Sequence, residues 1–223
     1  MRPRWSIVAV AALVLAVGRT GSAHWEEAYH WAPGEIPMHL QMGGAPGPLV
    51  DGNGDWDAIT KNALNAWNSV LGGVALVPMP DPNHDAAIQD GANNVVFGDD
   101  VYGEPFADGV LAITLTSYTT PDNLIVETDV VFNRKINWNS YRGDLRPAVG
   151  GGTLYDMGRV ALHEFGHVLG LGHPDDHAQA VPAIMNSHTS NLDVLQKDDV
   201  EGVATIYGAP AAPPPVTATA RLR

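Results

Sequence analysis

The segment HEFGHVLGLGH, residues 163–173, places three histidines, a glutamate and a glycine close together. On a helix, His163 and His167 lie four residues apart, so both imidazoles project from one face about one turn apart. That spacing lets one nitrogen of each ring reach a single cation at the zinc–nitrogen distance. Glu164 follows the first histidine directly and points to the side, where it can contact a water on the metal rather than the metal itself.

The third histidine must come from beyond the helix, because a continuing helix would carry His173 away from the ion. Gly170 can adopt the left-handed backbone conformation that turns the chain back. Three imidazoles leave one coordination position open, which is the arrangement of catalytic rather than structural zinc. Zinc lowers the pKa of the water bound there, and Glu164 can take its proton as a general base. The segment therefore predicts zinc-dependent hydrolysis.

A chance occurrence of this pattern is the alternative interpretation. Five fixed residues over eleven positions arise in on the order of one in a million windows, at roughly one in twenty per residue type. A core helix with incidental histidines would also bury several polar side chains without partners, which is costly. The remaining histidines are interpreted as surface or structural residues: His24, His30, His39, His84, His177 and His188.

Composition excludes several other kinds of site. The chain has no cysteine, so it can form neither a thiolate nucleophile nor a cysteine-ligated metal site. Its 25 acidic and 12 basic residues give a net charge of −13, whereas nucleic-acid binding needs basic patches. Its 223 residues suffice for one domain with a full core. Any metal must therefore be held by histidine, carboxylate or backbone oxygen.

The helix that carries the histidines needs other elements around it. A helix is predicted over 55–71 with Asp55 as its N-cap, and Thr153 and Asp156 indicate the start of the active-site helix. A last helix, KDDVEGVATIYG, has Asp198 and Glu201 as its capping pair. Strands are predicted over 36–42, 74–77, 95–97, 109–118 and 123–133.

Both ends of the chain are expected to lie outside the folded domain. Arg2 and Arg4 precede a short apolar run and three small residues, which is typical of a secretory signal peptide over 1–23. An uncleaved anchor is the alternative. Residues 24–208 then form the domain, and the Pro/Ala-rich segment 209–223 is a disordered tail or linker. We expect a secreted or periplasmic monomer without stable membrane insertion once the signal is removed.

The pattern HExxHxxGxxH, followed by a methionine turn, resembles the metzincin signature. A candidate for that methionine is Met185 in PAIMNS, twelve residues after His173. Ser187 stands where astacins and serralysins carry a tyrosine, which weighs against those families, although Pro174 is serralysin-like. Over about residues 30–208 the chain most resembles the bacterial-type matrixins, in the segments HWAPGEIPMHL, ADGVLAITL, ETDVVFN, VALHEFGHVLGLGH and LQKDDVEGVATIYG.

The resemblance implies an α+β fold: a twisted, mainly parallel five-stranded sheet with an antiparallel edge strand, two long helices, and a C-terminal helix after the methionine turn. It implies that Met185 forms a hydrophobic floor beneath a zinc ion bound by His163, His167 and His173. Residues 186–190 would shape the pocket just past the scissile bond. An extended peptide would pair with the edge strand, at Gly109, Val110, Leu111 and Ala112. The implied activity is a secreted zinc-dependent endopeptidase that hydrolyses extended protein substrates through a zinc-bound water activated by Glu164.

The chain also departs from the animal matrixins. Ile113 and Asp129 stand where that group holds a second, structural zinc, so we predict that this zinc is absent. The animal enzymes use a propeptide cysteine to block the catalytic zinc, so activity here must be restrained differently. Calcium binding in the loop before the edge strand stays open against a solvated acidic loop. Its candidate ligands are Asp99, Asp100, Glu104 and Asp108.

Two other functions are alternatives to the endopeptidase. A catalytically silent, zinc-stabilised extracellular binding module of the same fold would keep the histidines but would not need Glu164. A serralysin-like exported protease would need glycine-rich calcium repeats after the domain, and the Pro/Ala-rich segment contains none.

Overall fold

The computed structural model describes residues 6–9 and 25–211. Most of the predicted signal peptide, and the predicted tail from residue 212 onward, lie outside the described residues. Within the described part of the chain, no helix has the length and apolar character needed to cross a bilayer.

A sheet of five strands forms the centre of the fold, in the order β5-β6-β4-β2-β3. The strands are β2 (Gly34–Leu40), β3 (Val74–Pro80), β4 (Asn94–Gly98), β5 (Ala112–Tyr118) and β6 (Ile125–Asn133). β3, β2, β4 and β6 run parallel, and β5 runs antiparallel to β6. This confirms the predicted sheet. A further short strand, β1 (Ser6–Ala9), pairs antiparallel with residues 115–118 on the outer side of β5.

Side-chain alternation explains how the strands pack. In β2, Ile36, Met38 and Leu40 are buried while the residues between them reach solvent to varying degrees, the period of two expected for a strand. β6 lies between two other strands and is buried along almost its whole length. A strand that is buried on both faces has consecutive apolar residues, here VVF, instead of alternating apolar and polar residues.

Two long helices pack on each other beside the sheet. α1 (Trp56–Asn68) begins at the predicted N-cap Asp55, whose side chain accepts a hydrogen bond from the Asp57 amide at 2.9 Å. α2 (Met157–Val168) has Asp156, one of its two predicted start residues, as its N-cap, whereas Thr153 lies in the short strand before it. The buried indole of Trp67 in α1 donates to the Leu162 carbonyl of α2 at 2.9 Å, which fixes one helix against the other.

The C-terminal helix α3 (Lys197–Tyr207) was expected, but its predicted capping pair is wrong. The helix begins two residues earlier than the pair Asp198 and Glu201 requires, so Gln196 is the N-cap and Asp199 occupies the third helical position. The Asp199 carboxylate accepts from the Gln196 amide at 2.7 Å. Position within the first turn, rather than acidity alone, decides which carboxylate can cap a helix.

A small three-stranded sheet leads into α2 and was not predicted. It consists of β7 (Trp138–Asn139), β8 (Arg146–Pro147) and β9 (Thr153–Asp156). The predicted strand 109–118 is also shorter than expected, because Gly109 adopts a φ of +80° in a turn and β5 starts only at Ala112.

Candidate active site

The turn after α2 returns the chain toward the helix that precedes it. Gly170 has a φ of +85°, and a Cβ at this position would lie 2.6 Å from the carbonyl oxygen of Tyr29. The Gly170 amide donates to the His167 carbonyl at 2.9 Å, and the Leu171 amide donates to the Gly166 carbonyl at 3.0 Å. These two bonds form a Schellman motif, which ends the helix and reverses the chain. Both the backbone conformation and the close approach therefore require glycine.

This turn brings the three predicted histidines together. The Nε2 atoms of His163 and His167 are 3.1 Å apart, and the Nε2 of His173 lies 3.0 Å from each of them. A tetrahedral zinc ion bound at about 2.0–2.1 Å needs ligand nitrogens about 3.3 Å apart. The rings therefore fit zinc with only a few tenths of an ångström of adjustment.

The outer nitrogen of each ring already has a hydrogen-bond acceptor. His163 Nδ1 donates to the Ile184 carbonyl at 2.8 Å, and His167 Nδ1 donates to the Leu171 carbonyl at 2.8 Å. His173 Nδ1 donates to the Asp176 carboxylate at 3.1 Å. With the proton on Nδ1, each Nε2 directs a lone pair toward the other two. Three converging lone pairs repel one another unless a cation lies between them, so this donor set fits a metal ion.

The protonation states agree with metal binding. Burial, followed by the nearby His163 and His173, lowers the pKa of His167 well below its usual range. Burial, followed by the nearby His163 and His177, lowers the pKa of His173 to about 3. Both rings are therefore neutral at pH 7, and only a neutral imidazole can bind a metal.

Glu164 is 5% exposed and lines the same cleft as the three histidines, a cavity of about 290 Å³. Burial raises the pKa of its carboxyl group, while His163 and a hydrogen bond from Thr114 favour the charged form. The Thr114 hydroxyl on β5 donates to Glu164 Oε2 at 2.7 Å. Sequence reasoning missed Thr114, since a threonine in an apolar strand gives no signal of its partner 50 residues away.

Met185 lies against α2 between the first two histidines. It is 2% exposed, and a Cβ added to Gly166 would lie 2.1 Å from its Sδ. The buried carboxylate of Asp199 in α3 accepts from the Ile184 amide at 2.9 Å and from the Met185 amide at 3.1 Å. Asp199 was not singled out from the sequence, where it looked like an ordinary acidic residue in the first turn of a helix.

The two predicted walls of the substrate site lie on one cleft. Residues 109–112 and 186–190 both line the cavity that contains the histidines. The carbonyls of Val110 and Leu111 already accept hydrogen bonds from Asn133, at 3.0 and 2.9 Å. A peptide that pairs here must therefore use other backbone groups of this segment.

Arg159 also lines the cleft, and the sequence analysis did not identify it. Its guanidinium donates to the carbonyls of Ser190 and Gly143, so it ties the 186–190 wall to the loop before α2.

The positions considered for a structural zinc and for calcium do not converge as the three histidines do. Ile113 packs in an apolar cluster with Val101, Leu115 and Val131, and the buried Asp129 accepts from Asn94. The absence of the structural zinc stays a prediction, although an apolar side chain at position 113 supplies no ligand. The four candidate calcium ligands, Asp99, Asp100, Glu104 and Asp108, do not form a group of three converging ligands within the described ranges.

Known proteins resemble this chain along most of its length. The matrixin family pattern matches residues 6–208. Over 198 residues the chain is 26% identical to Metalloendoproteinase 4-MMP of Arabidopsis thaliana, which covers 85% of this chain and 53% of that protein. Over 113 residues it is 34% identical to Metalloendoproteinase 2-MMP of the same plant, which covers 50% of this chain and 28% of that protein.

A shorter and more similar stretch of 56 residues is 48% identical to the interstitial collagenase of Bos taurus, covering 24% of this chain and 11% of that protein. The chain thus spans about half or less of the length of these relatives. The family match, by contrast, extends from β1 to the end of α3 and includes every element around the cleft. The chain therefore belongs to the matrixin family of zinc metalloendopeptidases.

Proposed function

We propose that this chain is itself a zinc-dependent endopeptidase, with His163, His167 and His173 as zinc ligands and Glu164 as the catalytic base. The observation that carries the proposal is the convergence of three imidazole Nε2 atoms, 3.0–3.1 Å apart, in a cleft that also contains a buried carboxylate. A binding module stabilised by zinc has no need for a carboxylate in that place.

Zinc, when bound there, supplies a Lewis acid that polarises the scissile carbonyl and makes water more acidic. Glu164 takes a proton from the attacking water, whose oxygen bonds to the carbonyl carbon. Glu164 then transfers this proton to the amide nitrogen as the carbon–nitrogen bond breaks, so one water is consumed and a carboxylic acid and an amine are formed. The acid then gives its remaining proton to the amine or to solvent. Burial raises the pKa of Glu164, which makes its carboxylate a stronger base than a solvated one.

The substrate is proposed to be an extended peptide that lies along residues 109–112, with 186–190 as the opposite wall. The backbone of this segment, which leads into β5, would bind such a peptide through hydrogen bonds, while pockets select side chains. Met185 would form the floor beneath the metal. We further propose that the domain comprises 24–208 and is exported as a monomer after removal of 1–23. Zinc is the metal proposed for the cleft, and calcium binding by the acidic residues of the loop 99–108 stays a prediction.

The test is digestion of a mixed peptide library by the wild-type chain, by Glu164→Gln and by Glu35→Gln, an exposed glutamate on β2 that serves as the control. The wild type and control should cleave, a zinc chelator should abolish cleavage, and Glu164→Gln should lose at least a hundredfold in kcat/KM. If the wild type retains zinc but cleaves nothing, the silent binding module is the better explanation. If Glu164→Gln cleaves as fast as the wild type, the assigned mechanism is wrong.

A further inference from the structure

A second group of metal-ligating side chains lies far from the cleft along the sheet. It consists of His39, Asp81 and His84, and one ligand atom from each lies within 4.8 Å of the others. His39 is on β2, and Asp81 directly follows β3. In the strand order, β6 and β4 separate β5, which borders the cleft, from β2 and β3. The group therefore belongs to a different part of the molecule from the active site.

The fold places these three residues together through its backbone. Met38 and Leu40 are fully buried, so His39 between them projects from the opposite face of β2 and is partly exposed. The Asp81 amide donates to the Leu40 carbonyl at 3.0 Å, which holds Asp81 beside the end of β2. The His84 amide donates to the Asp81 carbonyl at 3.2 Å. This turn carries the second imidazole back toward the first.

The side chains are already oriented toward one another. His39 Nδ1 lies 3.1 Å from Asp81 Oδ2, and the rings of His39 and His84 have centroids 5.3 Å apart. Asp90 Oδ2 lies 3.1 Å from His84 Nε2 and also accepts from the Ala87 amide at 2.9 Å. A carboxylate that holds a histidine ring in this way is the usual second partner of a metal-binding imidazole.

We propose that His39, Asp81 and His84 bind a divalent transition-metal ion, with Zn²⁺ as the ion of choice. Two imidazoles and one carboxylate suit zinc and its neighbours in the first transition row, whereas calcium and magnesium prefer oxygen ligands alone. The charges of Asp81 and Asp90 offset that of the ion. The ion is structural: it ties the irregular connection 81–93 to the end of β2, and it takes no part in peptide hydrolysis.

The experiment is metal analysis of the full chain after equilibration at a fixed, buffered free Zn²⁺ concentration in the low micromolar range. The wild type should retain two ions per chain. His39→Asn with His84→Asn should retain one, and His163→Asn with His167→Asn should also retain one. His30→Asn, which changes an exposed histidine outside both groups, should retain two. A wild type that retains a single ion, lost when His163 and His167 are replaced, would overturn the proposal.

A second measurement isolates the proposed ion from the active site. In the chain carrying His163→Asn and His167→Asn, added Zn²⁺ should raise the Tm by on the order of 5 °C over the chelated protein, since a ligand that binds only the folded state stabilises it. This increase should vanish when His39 and His84 are also replaced. A Tm that does not respond to zinc would contradict the proposal, even if peptidase activity were normal. A wild-type chain that binds zinc but cleaves no peptide, together with an intact zinc response in this variant, would instead refute the proposed function alone.

Discussion

Asp129 gives the sharpest prediction, because it is a buried carboxylate without a cationic partner among its described contacts. It lies on β6, is 1% exposed, and accepts from the Asn94 amide at 3.0 Å and from the Asn94 side chain at 2.9 Å. Burial, with smaller contributions from Glu127 and Asp90, raises its pKa to about 7 despite these two hydrogen bonds. Desolvation disfavours the charged carboxylate more than Asn94 stabilises it.

The sign of the effect on stability follows from proton binding. Between the unfolded pKa of 3.8 and the folded pKa of about 7, the folded state holds a proton on Asp129 that the unfolded state has lost. The free energy of unfolding therefore falls as pH rises through this window. The contribution is fully present below pH 3.8 and lost above about pH 7. At roughly 1.4 kcal/mol per pKa unit, the full loss is about 4 kcal/mol.

Asp129→Asn should remove this pH dependence, because the amide oxygen can still accept from Asn94 but the side chain cannot ionise. The measurement is urea unfolding followed by tryptophan fluorescence at intervals from pH 4 to pH 8.5. As pH rises across this range, the wild type should lose up to about 4 kcal/mol of unfolding free energy relative to Asp129→Asn.

The wild type and Asp129→Asn contain the same histidines, so loss of bound metal at low pH lowers the stability of both and cancels in their difference. Asp122→Asn, an exposed carboxylate in the turn before β6, is the control and should give a profile parallel to the wild type. If the wild type and Asp129→Asn also give parallel profiles, Asp129 is charged and solvated at neutral pH and the reasoning fails.

Three further substitutions test the support of the proposed zinc site. Gly166→Ala gains up to about 1 kcal/mol of helix propensity, but the added methyl overlaps Met185, which costs about 1–3 kcal/mol. Urea unfolding should therefore show a net loss of stability, which Met185→Ala should relieve. A Gly166→Ala variant more stable than the wild type would contradict this contact. Asp176→Ala removes the acceptor of His173 Nδ1, so competition with a chelator should show zinc affinity lowered about 10–100-fold. An unchanged affinity would mean that the pair is incidental. Asp199→Leu leaves buried amides without acceptors, so unfolding should become easier by about 2–3 kcal/mol, and an unchanged midpoint would exclude that role.

Local geometry explains why the candidate site could be predicted from the sequence. The four-residue spacing of His163 and His167 is read from helix periodicity, and the return of His173 needs only a turn that Gly170 can make. Both features depend on fewer than a dozen consecutive residues. The helix N-cap Asp55 was predicted for the same reason, and Asp156 was one of two residues predicted to mark the start of α2.

The residues that support the site could not be predicted in this way. Thr114 meets Glu164 only because β5 lies beside α2, and Asp199 meets the methionine turn only because α3 folds back beneath it. His39 and His84 were interpreted only as surface or structural residues, since 45 positions separate them and only the parallel pairing of β2 with β3 joins them. Contacts between distant segments leave no periodic pattern in a sequence.

The C-terminal helix α3 therefore supports the proposed metal site without supplying any of its proposed ligands. Asp199 fixes the amides of Ile184 and Met185, and the carbonyl of Ile184 in turn accepts the Nδ1 proton of His163. The tautomer and direction of His163 thus depend on a carboxylate in a different helix. Because the same turn places Met185 against Gly166, movement of α3 would disturb both the orientation of one proposed ligand and the packing beneath the ligand helix. A short motif can specify which residues bind the metal, but the rigidity of their arrangement comes from the packing of the whole domain.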